Sequence, residues 1–332
     1  MTTRIAINGL GRIGRCLVRA LVENPRADIE LVAANGPATL ETHLHLLKYD
    51  SVHGRFNADV KGEEGALIIN GKRITLLQEK EPAKLNWGAL GVDVVLECTG
   101  KFTKVADAGL HLAQGAKKVL ISAPSEDAPV TVVYGVNNEA VRPEHDVISV
   151  GSCTTNCLAP VAKVLDGLVG IEQGFMTTIH AYTGDQNLVD GSHKDMQRAR
   201  AAAMSMVPSK TGAAKAIGLV LPQLAGKLDG VAVRVPTPNV SLVDLTFTAG
   251  RDTSVEEINA ALKAASEGAL KGVLAVEDAP LVSIDFNHHP ASSIVDLNGT
   301  KVVNKRFVRV ASWYDNEWGF SQRMLDVVGL LK

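Results

Sequence analysis

The stretch Gly9-Leu10-Gly11-Arg12-Ile13-Gly14 restricts the fold of this chain more than any other. It follows Arg4 to Asn8, a short alternating run that reads as a strand, and it opens Arg15 to Glu23, where apolar residues recur at helical spacing. Ile29 to Ala34 reads as the next strand. A lone G-x-G-x-x-G says little. Strand, glycine turn, helix and returning strand within about 30 residues is the setting a dinucleotide needs. There the glycines give a tight turn, close approach of backbone to pyrophosphate, and packing of helix on strand. Gly9, Gly11, Arg12, Ile13 and Gly14 are therefore candidate cofactor contacts.

Further apolar strands are expected at Val92 to Leu96, running into Cys98-Thr99-Gly100, at Val119 to Ser122, at Val130 to Tyr134 and at Asp146 to Val150, with a helical stretch at Lys104 to Gln114. Strand alternating with helix is the doubly wound α/β pattern, a mostly parallel Rossmann-type sheet that collects ligands at the carboxyl ends of its strands. Thr99 and Ser122 stand at such ends. Residues 54 to 90, with polar turns at Lys61 to Gly65 and Asn70-Gly71, read as a β-hairpin insertion. The second strand departs from the NAD pattern. Where an Asp or Glu would hold the adenosine ribose, about 20 residues past the glycines, the chain has Asn35-Gly36-Pro37. Without that carboxylate nothing there repels a 2′-phosphate, so NADP becomes admissible beside NAD.

Gly151-Ser152-Cys153-Thr154-Thr155-Asn156-Cys157 lies between the apolar run Val147 to Val150 and the amphipathic run Leu158 to Leu168, which places Cys153 in the first turn of a helix. Free N–H groups and the helix dipole there favour a thiolate, the nucleophilic form of cysteine. With the hydroxyls of Ser152, Thr154 and Thr155 they also suit a phosphate or an oxyanion. Cys153 and Cys157 share a helix face and could equally be packing residues, half of a metal site or an oxidisable pair. No Cys-x-x-Cys or spaced histidine pair supplies further metal ligands, and no metal is expected.

Beyond this point the register changes. Phe175 to Ala181 reads as a strand with His180 near its end. Tyr182 to Pro208 is long, charged and poor in apolar residues, as functional loops and interfaces are. A helix from Thr211 to about Leu224 and one at Val255 to Glu267 accompany strands around Val231 to Val235, Ser241 to Thr248, Leu281 to Phe286, Ser293 to Leu297 and Arg306 to Trp313, before a last helix, Trp318 to Leu331. Runs of strands with few crossovers indicate an α+β arrangement with a mixed or antiparallel sheet.

Composition narrows the function classes. With 332 residues, 46% hydrophobic and 21% charged, the chain is long enough for two domains. A net charge of -2 gives no electrostatic reason to expect nucleic acid or an anionic membrane as partner. Four scattered cysteines fit a reducing compartment, and no early apolar run is long enough for a signal peptide, so a cytoplasmic location is expected.

Several segments together, Asn8 to Arg15, Ser152 to Pro160, His180 to Thr183, Thr211 to Lys215, Arg234 to Val240 and Trp313 to Gly319, resemble the phosphorylating glyceraldehyde-3-phosphate dehydrogenases over the whole chain. The resemblance implies a nucleotide-binding domain of residues 1–150 completed by the helix 317–332, and a catalytic domain of residues 151–316. It implies Cys153 as nucleophile and His180 as base. Thr183 and Arg234 would hold the substrate's phosphate; Ser152, Thr154, Thr211 and Gly212 would hold the attacking inorganic phosphate. Asn316 would hold the nicotinamide carboxamide, and Asn35 and Gly36 would lie at the ribose. A homotetramer is implied, with the 182–208 loop bordering a neighbour's cofactor. In that loop Gly191-Ser192 replaces the Leu-Pro pair of NAD-specific members and resembles the NADP-using branch, so Ser192, with Lys80, becomes a candidate contact of the 2′-phosphate. Erythrose-4-phosphate dehydrogenase is the nearest rival reading. A cysteine hydrolase or acyl transferase would use the same Cys and His without a nicotinamide, and a nucleotide sensor would have no use for either.

Overall fold

A computed structural model of the chain describes residues 2–331. It divides into two compact units. The first takes in the chain up to Val132, Asn138–Ser152 and the tail from Ser321; the second takes in Val133–Asn137 and Cys153–Phe320.

The first unit is built on an eight-stranded sheet in the order Val147–Ser149, Lys118–Ile121, Val94–Glu97, Thr3–Asn8, Ile29–Asn35, Lys72–Leu77, Ala66–Ile69, Val60–Glu63. The first six run parallel, and the last two continue the sheet antiparallel. The hairpin insertion thus extends the same sheet. Ile5, Ala6 and Ile7 are wholly buried, as consecutive residues of a parallel strand covered on both faces should be. The buried polar residues gather at the carboxyl ends. Asn8, Asn35 and Glu97 stand side by side in register and are buried there. Asn35 Nδ2 donates to Asn8 Oδ1 at 2.7 Å, and Asn8 Nδ2 donates to Glu97. Glu97 also accepts from the Thr99 N–H at 2.8 Å and from His111 Nε2 at 3.1 Å, whose Nδ1 is held by Trp87 Nε1 at 3.0 Å. A row of polar ends in a dry sheet is affordable only because each member is bonded.

Two sequence expectations fail in or beside this unit. Val130 to Tyr134 is not a strand: a single bridge joins Thr131 to Ser149, and the Asn137 side chain takes the Val133 N–H at 2.8 Å, turning the run aside. Lys104 to Gln114 is not one helix but two single turns, Val105–Ala108 and Leu110–Ala113, interrupted at Gly109.

The second unit has a seven-stranded mixed sheet in the order Val207–Ser209, Leu228–Val235, Ile171–Ala181, Ser241–Ala249, Phe307–Tyr314, Ser293–Val303, Leu274–Glu277. Ser241–Ala249 alternates buried and half-buried along its length, the period of a strand with one face in the core. Helices Cys153–Val169, Ala213–Val220 and Val255–Glu267 place Leu158, Leu165, Ile217 and Leu262 in one apolar cluster with Met176, Leu245 and Phe247 of the sheet. Leu281 to Phe286 is not a strand. Asp285 Oδ2 accepts the Val282 N–H at 2.8 Å and closes a 3₁₀ turn, Ser283–Phe286. The edge strand Leu274–Glu277 lies just ahead of it, where no strand is expected from the sequence. Among the described residues no helix is long and apolar enough to cross a membrane.

Candidate active site

Cys153 is the first residue of the helix Cys153–Val169, and its Sγ lies 3.5 Å from Nε2 of His180. His180 is the penultimate residue of the strand Ile171–Ala181 and pairs in register with Arg234 of the parallel strand Leu228–Val235. Parallel neighbours at their carboxyl ends place a base and a cation side by side. His180 Nδ1 is 2.7 Å from the Ala181 carbonyl oxygen and 3.0 Å from Arg234 Nη1, which also donates to Ala181 O at 3.1 Å. One nitrogen cannot donate to the carbonyl and accept from the guanidinium at once. The carbonyl can accept from both, so the consistent assignment puts the proton on Nδ1. Nε2 then offers its lone pair to the thiol. The Tyr314 ring stands nearly perpendicular to the imidazole, with centroids 5.9 Å apart, and its hydroxyl is bonded to Thr154 and Thr178 at 2.8 and 2.9 Å.

The electrostatics differ from the thiolate expected at a helix start. Burial pushes the Cys153 thiol up from its ordinary value, and Arg234 with the Thr154 hydrogen bonds only partly offsets it. Burial, then the Arg234 cation, pushes His180 down to about 3. Both effects favour neutral forms. The resting pair is therefore a thiol facing a neutral imidazole: desolvation outweighs the first helical turn.

Beside this pair lies a cation with an unused donor. Arg234 is half-buried, which lowers its own pKa, yet its buried Nε has no hydrogen-bond partner. Its Nη1 reaches Thr183 Oγ1 at 3.5 Å. A buried donor left idle is costly until something accepts from it. Thr211 Oγ1 accepts from Ala213 N at 3.1 Å at the start of the helix Ala213–Val220, with Gly212 exposed at its N-cap. Thr154 is turned differently from expectation. Its hydroxyl bonds Tyr314 and, like its N–H, is also directed at the Cys153 sulfur. Ser152 is half-buried just ahead of the helix.

Two neighbours were given no role by the sequence. Arg198, in the 182–208 segment, is tied to Ser209 Oγ at 3.2 Å and to Asp185, and its charge also depresses His180. Nothing distinguishes it in the sequence from Arg200, which pairs with Asp190 on the surface. Tyr314 stands 160 residues from the Thr154 it bonds.

In the first unit a cavity of about 530 Å³ is lined by Gly9, Gly11, Asn35, Gly36, His43, Lys80 and Thr99, among others. The glycines cradle it for steric reasons. Gly9 has φ +102°, and a Cβ on Gly14 would collide with the Gly9 oxygen, while Gly11 has open space before it. That is the close backbone approach a pyrophosphate requires, and the cavity fits the dinucleotide. Arg12 is directed elsewhere: it clasps Asp50 at 2.5 and 3.1 Å and, against the cost of burial, holds that carboxyl well below the usual range. Ile13 is half-buried. Ser122 is absent from the cavity lining; its N–H bonds the Glu97 carbonyl and its side chain touches the Cys98 thiol. Asn316, in the second unit, is buried with its Oδ1 held by Ser241 Oγ at 2.9 Å, and Ser192 is exposed on the 182–208 segment.

Known proteins agree with both units. Residues 3–105 match the model of the glyceraldehyde 3-phosphate dehydrogenase NAD binding domain, and residues 152–316 match that of the C-terminal domain. The chain is 60% identical over 326 residues to glyceraldehyde-3-phosphate dehydrogenase of Xanthobacter flavus, covering 98% of this chain and 97% of that one. It is 57% identical to that of Cereibacter sphaeroides over the same shares, and 54% identical to that of Geobacillus stearothermophilus, covering 100% of this chain and 98% of its relative.

Proposed function

Because the chain belongs to the glyceraldehyde-3-phosphate dehydrogenase family, we propose that it oxidises glyceraldehyde 3-phosphate and phosphorylates the product through a thioester on Cys153. The observation that carries this reading is the 3.5 Å approach of the Cys153 thiol to a neutral His180 nitrogen, beside a half-buried arginine whose buried Nε is an unpartnered donor. The thiol proton passes to Nε2 as sulfur adds to the aldehyde carbon, and the imidazolium returns it to the new oxyanion, giving a thiohemiacetal. His180, neutral again, takes the hydroxyl proton as the hydride departs, leaving the thioester. Bound nicotinamide dinucleotide supplies the hydride acceptor. An inorganic phosphate oxygen then adds to the thioester carbon, the C–S bond breaks, and the sulfur recovers the proton held on His180. The energy of the thioester is retained in an acyl phosphate.

Arg234 and Thr183 serve the substrate's phosphate, to which a guanidinium presents a fixed fork of donors. Ser152, Thr154, Thr211 and Gly212 serve the attacking phosphate, with Arg198, whose charge reaches His180, as a further cation. Asn316 holds the carboxamide: Ser241 occupies its oxygen, so Nδ2 remains as donor. Gly9, Gly11, Gly14, Asn35 and Thr99 hold the dinucleotide, which is NADP as well as NAD. Gly36 carries no charge against a 2′-phosphate, and Lys80 on the cavity wall attracts one. The test follows nicotinamide reduction with glyceraldehyde 3-phosphate and with erythrose 4-phosphate, using each cofactor, with and without inorganic phosphate. Phosphate-dependent reduction favouring the three-carbon substrate is expected. Turnover indifferent to phosphate would refute the thioester route. A preference for NAD above about a hundredfold, ~2.7 kcal/mol, would refute dual use.

The assembly is a homotetramer. Leu188, Val189, Met196, Met204 and Met206 of the 182–208 segment are three-quarters or more exposed, a density of bare apolar side chains that a solvated loop does not carry. Light scattering at micromolar concentration should give four times the chain's mass; a monomer would contradict the reading.

A further inference from the structure

We propose that His43 sets the cofactor preference of this chain: its imidazole fills the space in which a side chain at position 36 would stand, so that a carboxylate can be placed at the ribose only by displacing the ring. This deepens the reading of the cavity as the adenosine half of the cofactor site, and it rests on that reading.

The absence of an acidic residue after the second strand has two explanations, and the structure separates them. A turn could demand glycine, but Gly36 is not among the glycines with positive φ, so its backbone conformation is open to other residues. Space is what is missing. A Cβ at position 36 would lie 2.7 Å from His43 Cε1 and 2.9 Å from His43 Nε2, distances that real Cβ atoms do not show. The ring reaches there for a local reason. Thr39 caps the helix Leu40–Lys48, and His43 is the fourth residue within it. Helical side chains lean toward the N-terminus, so the ring folds back over the chain entering the helix. Its Nε2 is 3.1 Å from the Gly36 carbonyl oxygen, which can only accept, so Nε2 carries the hydrogen. His43 is 5% exposed, and Leu47, one turn further on the same face, is wholly buried. To yield to a side chain at 36, the ring would have to give up both its hydrogen bond and its burial. Position 36 and position 43 are therefore one determinant. The charged groups left on the cavity wall are Lys80, Lys101 and Glu79, the last with its carboxylate bonded to the Lys80 and Glu81 N–H groups.

The test is a double-mutant cycle on Gly36→Asp and His43→Ala, read as kcat/KM with NAD and with NADP. Gly36→Asp alone should lose about tenfold or more with both cofactors, because the displaced ring enters the cavity. In the His43→Ala background the same change should raise NAD use and depress NADP use, with a coupling of about tenfold on NAD. Effects that combine independently within about twofold would overturn the proposal. A second arm covers poor folding of the aspartate variants: Gly36→Ala adds only the Cβ, and should lower the thermal midpoint of the cofactor-free chain by about 3 °C or more with His43 present and much less in the His43→Ala background. Equal falls in both backgrounds would also overturn it. Wild-type failure to use NADP would count against dual cofactor use alone, since the coupling is read on NAD and on stability.

Discussion

Cys153→Ser is expected to abolish phosphate-dependent dehydrogenase turnover, a loss on the order of 10⁴-fold or more, the scale on which removal of a covalent nucleophile acts. The hydroxyl can occupy the same position, 3.5 Å from His180, but a serine hydroxyl gives up its proton far less readily than a thiol and is the weaker nucleophile. His180→Asn keeps a polar side chain and removes the base, and should slow the chemical step about 10²-fold or more. Near-wild-type turnover in either variant would remove the pair from the mechanism. Cys157→Ser is the control. That thiol is buried, pushed up to about 12 by desolvation, and sits 3.6 Å from Ser293 Oγ and 3.7 Å from the Ser312 carbonyl, partners a serine could keep; most activity should survive. His180→Asn has a second readout. His180 has a folded pKa of about 3, below its unfolded value near 6.5, so the unfolded chain binds the proton more readily. Its contribution is complete above pH 6.5 and is lost as pH falls toward 3, and the variant should show a shallower loss of stability across that window.

Arg234→Lys is expected to cut kcat/KM for glyceraldehyde 3-phosphate by about 10²-fold, ~2.7 kcal/mol, and to cut it far less for unphosphorylated glyceraldehyde. Lysine keeps the charge but not the planar fork, and it has no counterpart of the Nε that stands unpartnered beside the pair. The comparison between substrates isolates phosphate recognition, because the cation's influence on His180 is common to both. Equal losses on the two substrates would make Arg234 a support for the strand ends, where it already donates to Ala181 O.

Features dictated by near neighbours in the chain were legible. The glycine turn follows its strand and opens the helix Arg12–Glu23, and Val255–Glu267 begins at the expected residue because Ser254 caps it, accepting from Glu257 N at 3.3 Å, and ends at the expected one, where Gly268 is its C-cap. Such contacts span a few residues, so sequence spacing specifies them. Apolar runs were less reliable. Val130 to Tyr134 and Leu281 to Phe286 have strand composition, but one asparagine and one aspartate capture their N–H groups. The sequence also placed Cys153 at a helix start and His180 at a strand end, and the family motifs joined them.

Tertiary structure alone decided the states of those groups. Parallel pairing of strands whose key residues are 54 positions apart sets Arg234 against His180, and burial then makes the pair thiol and imidazole. It ties the Thr154 hydroxyl to Tyr314 and the Arg12 guanidinium to Asp50. It also turns the missing acidic residue at position 36 from a local turn preference into a packing constraint imposed by a helix seven residues on. Residue types and their spacing along the chain specify which chemistry is possible, whereas protonation, free donors and excluded volume depend on what is packed alongside, and those neighbours come from other elements.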